Sequence, residues 1–376
     1  MLKPKYLEQL PSRMLELYSQ AEMDILASMA ERIAAQDYFI PAAQWQYQKL
    51  IEMGNFHSFI VAALASRTGK TRQEIERLMV EAGQKALAFD TGIYRKAGLD
   101  PPPLAASPEL LAVLQAGMDN TCGLFDNLTR TTAATATRQF ERALDRAYMQ
   151  ITTGAFDYNS AVRSAIKDLA QKGVEVIRYP SGHVDYMEVA VRRATVTGVN
   201  QTSLKMQETL ADEIGADLVE VTAHAGARVG IGIANHAEWQ GKVYSRSGKH
   251  KKFPSLVEKT GYGTGPGLGG YNCRHNMFPY FEGQEPTYSK EQLDEMNAKK
   301  YTYNGEKLTE YEASQKQRYI ERQIRRWKRE RRAMEAAGQP TEEAAAKLAK
   351  WQDIQRDFIR QTGLKRQYDR ENIPEP

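Results

Sequence analysis

The chain has 376 residues, 41% apolar and 26% charged, with a formal net charge of +4. That length supports two or three domains with their own cores, and the charge is too small to establish a polyanion partner by itself. Two cysteines, Cys122 and Cys273, exclude a disulfide framework and suit a reducing cytosol; the longest apolar run, Phe59–Ala65, falls far short of the roughly 20 residues of a membrane span.

Taken in order, the N-terminal "MLKPKYLEQLPSRML" lacks the apolar region of a signal peptide. Residues 1–172 then read as helix almost throughout. Tyr18, Ala21, Ile25, Met29 and Ile33 share one helical face, as do Phe140, Leu144, Ala147 and Ile151, with Gly154 as a stop. Ser160 is the expected cap of a helix carrying Val162, Ile166 and Leu169, ended by Gly173. The prolines of Leu99–Pro108 predict a stiff loop. Gly69-Lys70-Thr71 imitates the end of a phosphate-binding loop, but Leu64 stands where its first glycine belongs. Thr71 with Glu74 reads instead as a capping box that starts a helix.

The pattern changes near 172. Val174–Tyr179 alternates with period two, Asp217–Ala223 and Lys242–Ser245 are further strand candidates, and a helix is expected from Asp185 to Ile214 with Gly215 just beyond. Turns dominate to about 283. Helix resumes from 286, with capping boxes at Ser289/Gln292 and Thr309/Glu312 and a tight hairpin at Asn304-Gly305. Ile320, Ile324 and Trp327 stripe one late helix and Leu348, Trp351, Ile354 and Phe358 the next, which predicts an αα-hairpin broken at Gly338 and Pro340. The expectation is an α+β chain: a helical bundle over 1–172, a loop-rich α+β core domain over 173–285, and a helical arm over 286–376.

Reactive side chains concentrate in the middle domain, where five of the six histidines lie between 183 and 275. Gly265–Gly270 matches G-x-G-x-x-G, yet Pro279 cuts off the helix that a pyrophosphate needs, so the six glycines in Gly261–Gly270 read as backbone that turns tightly or approaches another segment closely. His224, His236, Cys273 and His275 suffice in number for zinc, but one residue separates Cys273 from His275 and the other pair lacks i, i+4 spacing. The alternative is a hydrogen-bonded polar knot of His224, Arg228, His236, Trp239, Asn272, Cys273, Arg274 and His275. Lys316–Arg332 carries nine Lys/Arg against two acids, a dense positive face on a helix. Arg325, Arg326, Arg329 and Arg332 are its candidate phosphate contacts, and Glu321 is expected to pair with Arg325.

The segments "AHAGAR", "HAEWQGKVYS" and "SLVEKTGYGTGPGLGGYNCRHNMFPYFEG" resemble the phage minor capsid protein 2 family, and the resemblance extends over nearly the whole chain. It implies a structural protein of tailed-phage heads, present in several copies per virion, made in the bacterial cytoplasm and assembled with portal and major capsid proteins, with no cofactor and no membrane. Non-specific contact with packaged DNA is the role the basic helix would have there. The resemblance also implies a middle domain similar to the Mu-type head-morphogenesis domain and, more remotely, to ADP-ribosyltransferase toxins. Arg193 and Glu238 stand nearest to the toxins' NAD-binding and catalytic residues, with no Ser-Thr-Ser strand between them. An NAD-dependent transferase is therefore the alternative function. The knot's expected task is assembly geometry rather than turnover.

Overall fold

The computed structural model describes residues 1–178 and 180–374. Its helices are α1 (Pro4–Gln9), α2 (Ser12–Ala34), α3 (Ala42–Lys96), α4 (Pro108–Thr152), α5 (Tyr158–Lys172), α6 (Met187–Ile214), α7 (His236–Trp239), α8 (Leu256–Thr260), α9 (Lys290–Met296), α10 (Glu310–Ala336) and α11 (Glu342–Thr362). Its strands are β1 (Glu175–Arg178), β2 (Val184–Tyr186), β3 (Leu218–Val221), β4 (Val243–Ser245), β5 (Met277–Pro279), β6 (Tyr301–Tyr303) and β7 (Glu306–Leu308). No described helix is long and apolar enough to cross a membrane.

Contacts divide the chain into two compact units. One gathers Met1–Arg13, Arg72–Leu124 and Arg192–Gln315; the other gathers Met14–Thr71, Phe125–Val191 and Lys316–Pro376. The divisions between these units fall inside α2, α3, α4, α6 and α10.

In the first unit, β3 is the central strand of an antiparallel sheet ordered β4-β3-β5. Val219 stands opposite Tyr244 and Pro279, and Glu220 opposite Val243 and Phe278. One core gathers Leu204, Val219, Val221, Trp239, Tyr244, Leu256, Leu268, Cys273 and Met277, and a smaller one gathers Leu218, Val243 and Tyr280. Glu220 is buried, and its carboxylate accepts from the backbone N–H of Thr287 at 2.8 Å and of Tyr288 at 3.3 Å. Two helices of this unit meet through reciprocal pairs. A Cβ at Gly117 of α4 would collide with the Thr202 side chain of α6, and one at Gly198 of α6 with Thr121 of α4. On each helix the glycine stands four residues before the threonine that fills the gap left by the other helix's glycine, so the two backbones approach closely.

The second unit contains the expected stripes: Tyr18, Ala21, Ile25, Met29 and Ile33 are buried, as are Phe140, Leu144, Ala147, Ile151, Ile320, Ile324 and Trp327. Of the stripe on α11, Phe358 is buried while Leu348, Trp351 and Ile354 are half-buried. The β1–β2 hairpin packs here too, with Thr135 of α4 donating to the carbonyls of Glu175 (2.7 Å) and Val176 (3.1 Å).

The capping boxes at Ser289/Gln292 and Thr309/Glu312 are formed, and Asn304 and Gly305 have φ of 49° and 82° between β6 and β7. Four local expectations are corrected. Thr71 starts no helix: α3 runs through it, and its buried hydroxyl donates to Tyr18 Oη at 3.3 Å. Asp157, not Ser160, caps α5 and accepts from the Ser160 N–H. Asp185 lies in β2, and α6 begins at Met187. Met277–Pro279 forms β5, an edge strand three residues long, too short for any periodicity to show.

The Gly/Thr pairs generate a contrast between glycines of similar helical setting. Gly117→Ala and Gly198→Ala should each cost about 1–3 kcal/mol through overpacking. Gly69→Ala, with open space at its Cβ, should gain about 0.5–1 kcal/mol from helix propensity. Denaturant unfolding of the three variants checks the opposite signs.

Candidate functional site

The segment Gly261–Gly270 folds onto itself. Leu268 N–H donates to Thr260 O at 2.9 Å, and Tyr271 N–H donates to Gly265 O at 2.8 Å. A Cβ at Gly267 would overlap the Gly261 carbonyl, and one at Gly270 the Gly265 carbonyl. No helix follows, so there is no dinucleotide cradle; close backbone approach is what these glycines allow. Asn272, at φ 54°, then redirects the chain, its N–H donating to Thr197 Oγ1 at 3.3 Å.

That turn brings Cys273 and His275 beside α7. Cys273 Sγ lies 3.9 Å from His236 Nδ1 and 3.6 Å from His275 Nδ1, and all three residues are buried. The far nitrogens are committed. His236 Nε2 reaches Pro266 O at 2.8 Å, and a carbonyl can only accept, so this nitrogen carries the hydrogen. His275 Nε2 donates to Gln240 Oε1 at 3.0 Å, the same oxygen that accepts from His224 N–H at 3.0 Å. His224 is stacked on His275 with ring centroids 4.5 Å apart; its Nδ1 donates to Ala225 O at 2.8 Å, and its Nε2 finds no partner among the described residues. Trp239 packs edge-on against His275 and donates from Nε1 to Ile233 O at 3.0 Å.

Burial sets the protonation of this cluster. It holds His224 and His236 down at about 4 and His275 well below the ordinary imidazole value. Burial likewise pushes the Cys273 thiol up, which argues against a free nucleophile. The remaining members of the expected knot hold backbone: Arg228 donates to Tyr271 O at 2.8 Å, and Arg274 donates to Gly226 O at 3.2 Å while pairing with Glu8 at 3.2 Å.

Several ties have no counterpart in the sequence reading. Asn200 of α6 donates to the carbonyls of Cys273 (3.2 Å) and His275 (2.9 Å), and Asn276 N–H donates to Thr222 Oγ1 at 2.9 Å. Gln240 is fully buried beneath both histidine contacts. Isolated Asn, Gln and Thr in a helix or loop carry no spacing signature, so only their surroundings reveal them.

The suggested transferase pair has different partners. Arg193 lies over the Tyr271 ring, 5.7 Å from its centroid. Glu238 is exposed beside a shallow cleft with Val229, Met296 and Tyr311, and accepts from Asn235 Nδ2 at 3.3 Å.

The basic helix α10 is not the solvated positive face its composition suggests. Arg325 is buried: it donates to Ser19 Oγ and to Asn372 O, lies 3.3 Å from Glu188 Oε2, and stands 3.9 Å from the buried Glu22. Arg329 is also buried and donates to the carbonyls of Ala170 (3.1 Å) and Gln171 (3.4 Å). Arg326 stacks over Trp327, and Arg332 donates to Pro374 O at 2.5 Å. Arg325 thus serves acids of its own unit, and Arg329 the C-terminal carbonyls of α5. Glu321 pairs with Arg318 at 2.6 Å, one turn back, and not with Arg325.

Two predictions arise from this helix. Arg325→Gln removes a buried guanidinium beside Glu22 and Glu188 and should cost about 3–5 kcal/mol, whereas exposed Arg322→Gln should stay within about 0.5 kcal/mol; chemical denaturation separates them. Burial raises the Glu321 carboxyl from its ordinary 4.5 to about 7. Between those values the folded state keeps a proton that the unfolded chain has released, so this group's stabilising contribution is full below pH 4.5 and is lost as pH rises through 7. Glu321→Gln should therefore stabilise at pH 8 by up to about 3 kcal/mol. The gain should vanish near pH 4.5 in a pH series of melting curves.

A family model described as phage minor capsid protein 2 matches residues 2–360. A structural protein of Lactococcus phage LL-H is 25% identical over 346 residues, covering 88% of each chain. A structural protein of Lactococcus phage mv4 is 35% identical over 125 residues, covering 32% of this chain and 93% of its own. No solved structure matches.

Proposed function

Because the chain belongs to the phage minor capsid protein 2 family, we propose that it is a minor structural component of a tailed-phage head, assembled in the host cytoplasm against portal and major capsid proteins. The match across residues 2–360 carries this reading, since it takes in both compact units rather than one motif. The interior is consistent with it: the polar groups nearest the histidines hold neighbouring backbone in place, as a part whose task is geometry requires.

A surface suited to docking lies on the first part of α3. Tyr47, Leu50, Ile51 and Val61 are exposed on one side of that helix, with Gly54 and Ser58 between them. Large apolar side chains left exposed on one side of a helix suit protein–protein contact. We place the capsid-facing contact there.

The alternative, an NAD-dependent ADP-ribosyltransferase, rests on Arg193 and Glu238 and on remote similarity. The exposed setting of Glu238 does little to favour it. Contact with packaged DNA would fall to Arg322, Arg326, Arg331 and Arg332, since Arg325 and Arg329 are committed internally.

Co-expression with the portal and major capsid proteins of the same phage tests the assembly role. The chain should co-purify with one of them and be present in purified virions by mass spectrometry. Leu50→Lys with Ile51→Lys should weaken co-purification at least about tenfold, roughly 1.4 kcal/mol, while leaving the melting temperature of the free protein unchanged. Absence from virions would sink the proposal, and label transfer from NAD to host lysate that Glu238→Gln abolishes would favour the transferase.

A further inference from the structure

Three donor atoms converge at one buried point in the first unit: His236 Nδ1, Cys273 Sγ and His275 Nδ1, all within 4.8 Å of one another. Their hydrogen inventory does not balance without a cation. Both Nε2 positions carry the ring hydrogen, because each faces an oxygen that can only accept there: the Pro266 carbonyl, and a Gln240 oxygen whose identity is set by the His224 N–H that also donates to it. Each neutral ring therefore turns a bare Nδ1 lone pair toward the sulfur. The thiol has one hydrogen, and it can serve one nitrogen. The other acceptor is left facing sulfur in a buried setting, a costly arrangement.

We infer that His236, Cys273 and His275 form a binding site for one transition-metal ion of zinc's class, with both imidazoles ligating through Nδ1 and the sulfur as thiolate. Three observations support it. The separations fit: metal–nitrogen bonds of about 2.0–2.1 Å and a metal–sulfur bond of about 2.3 Å at a tetrahedral angle place N and S about 3.5 Å apart, against 3.6 and 3.9 Å here. The donor set of two imidazoles and a thiolate suits zinc and excludes calcium or magnesium. Each ligating ring is also held from behind by an oxygen acceptor on its far N–H, the outer arrangement typical of metal-bound histidine. Binding displaces the thiol proton to solvent, so charge and hydrogens balance: a dication enters and one proton leaves.

The site ties two places distant in sequence. His236 opens α7, while Cys273 and His275 follow the glycine-rich turn and lead into β5. An ion there would fasten the loop-rich half of the first unit to its sheet, a stabilising role independent of what the protein docks against.

Full-length protein with a tag free of histidine, expressed in zinc-supplemented medium, should hold about one zinc per chain by elemental analysis. Exchange with cobalt(II) should produce a thiolate-to-cobalt charge-transfer band in the near ultraviolet that saturates at one equivalent. Stripping with a chelator should lower the melting temperature by about 5 °C or more, and added zinc should restore it. Cys122→Ala should keep the band; Cys273→Ser should abolish it. These wild-type titrations decide the matter even where a ligand variant fails to fold. Less than a tenth of an equivalent of zinc, with no cobalt–thiolate band in the folded wild-type chain, would overturn the site. So would a band lost in Cys122→Ala and kept in Cys273→Ser. Uptake of copper(I) alone would overturn the assignment to zinc's class.

Discussion

The absence of a Cβ at Gly267 and Gly270 is the constraint on which the first unit depends. At both positions another stretch of backbone occupies the space a side chain would need. That contact folds the glycine-rich segment into a closed turn, and the turn's exit delivers Cys273 and His275 to α7 and Met277–Pro279 to the edge of β3. Remove the close approach and three things lose their position together: the sheet's third strand, the convergence of three donor atoms, and the carbonyls that Asn200 holds. Glycine costs conformational entropy, and here it is spent where no other residue fits.

The second unit rests on a different kind of specificity. Glu22, Arg325 and Arg329 are charged groups taken out of water, an arrangement that contributes little net stability but penalises any packing that separates them. Glu22 accepts from Val174 N–H, while Arg329 covers the final carbonyls of α5. The same charges therefore align α2, α5, α10 and the start of β1. A helix carrying nine cations in seventeen positions presents only part of that charge to solvent, because its buried face needs partners for acids and helix ends.

These two interiors bear on function in one direction. The histidines are held neutral by burial, the thiol is pushed away from nucleophilic form, and the arginines nearest them hold backbone. Such a site positions chain segments. Family membership and an exposed apolar side of α3 agree with a part that works by shape and contact.

The sequence by itself determined the helical stripes, the capping boxes at Ser289 and Thr309, the Asn304-Gly305 turn and the family, because each is written in local spacing or in the order of residues along the chain. It also placed His236, Cys273 and His275 among a small set of candidates by residue type alone. Tertiary structure decided the rest. Thr71 and Glu74 read as a helix start until α3 is seen to run unbroken through them, since a propensity signal yields to packing such as that of Thr71 against Tyr18. Arg325 and Arg329 read as surface charge until Glu22, Glu188 and the end of α5 are brought beside them. The polar ties of Asn200, Gln240 and Thr222, and the stacking of His224 on His275, follow from contacts between residues tens of positions apart. Hydrogen-bond partners and burial are properties of a neighbourhood in space, and spacing along a chain records only the neighbours within a turn or a strand.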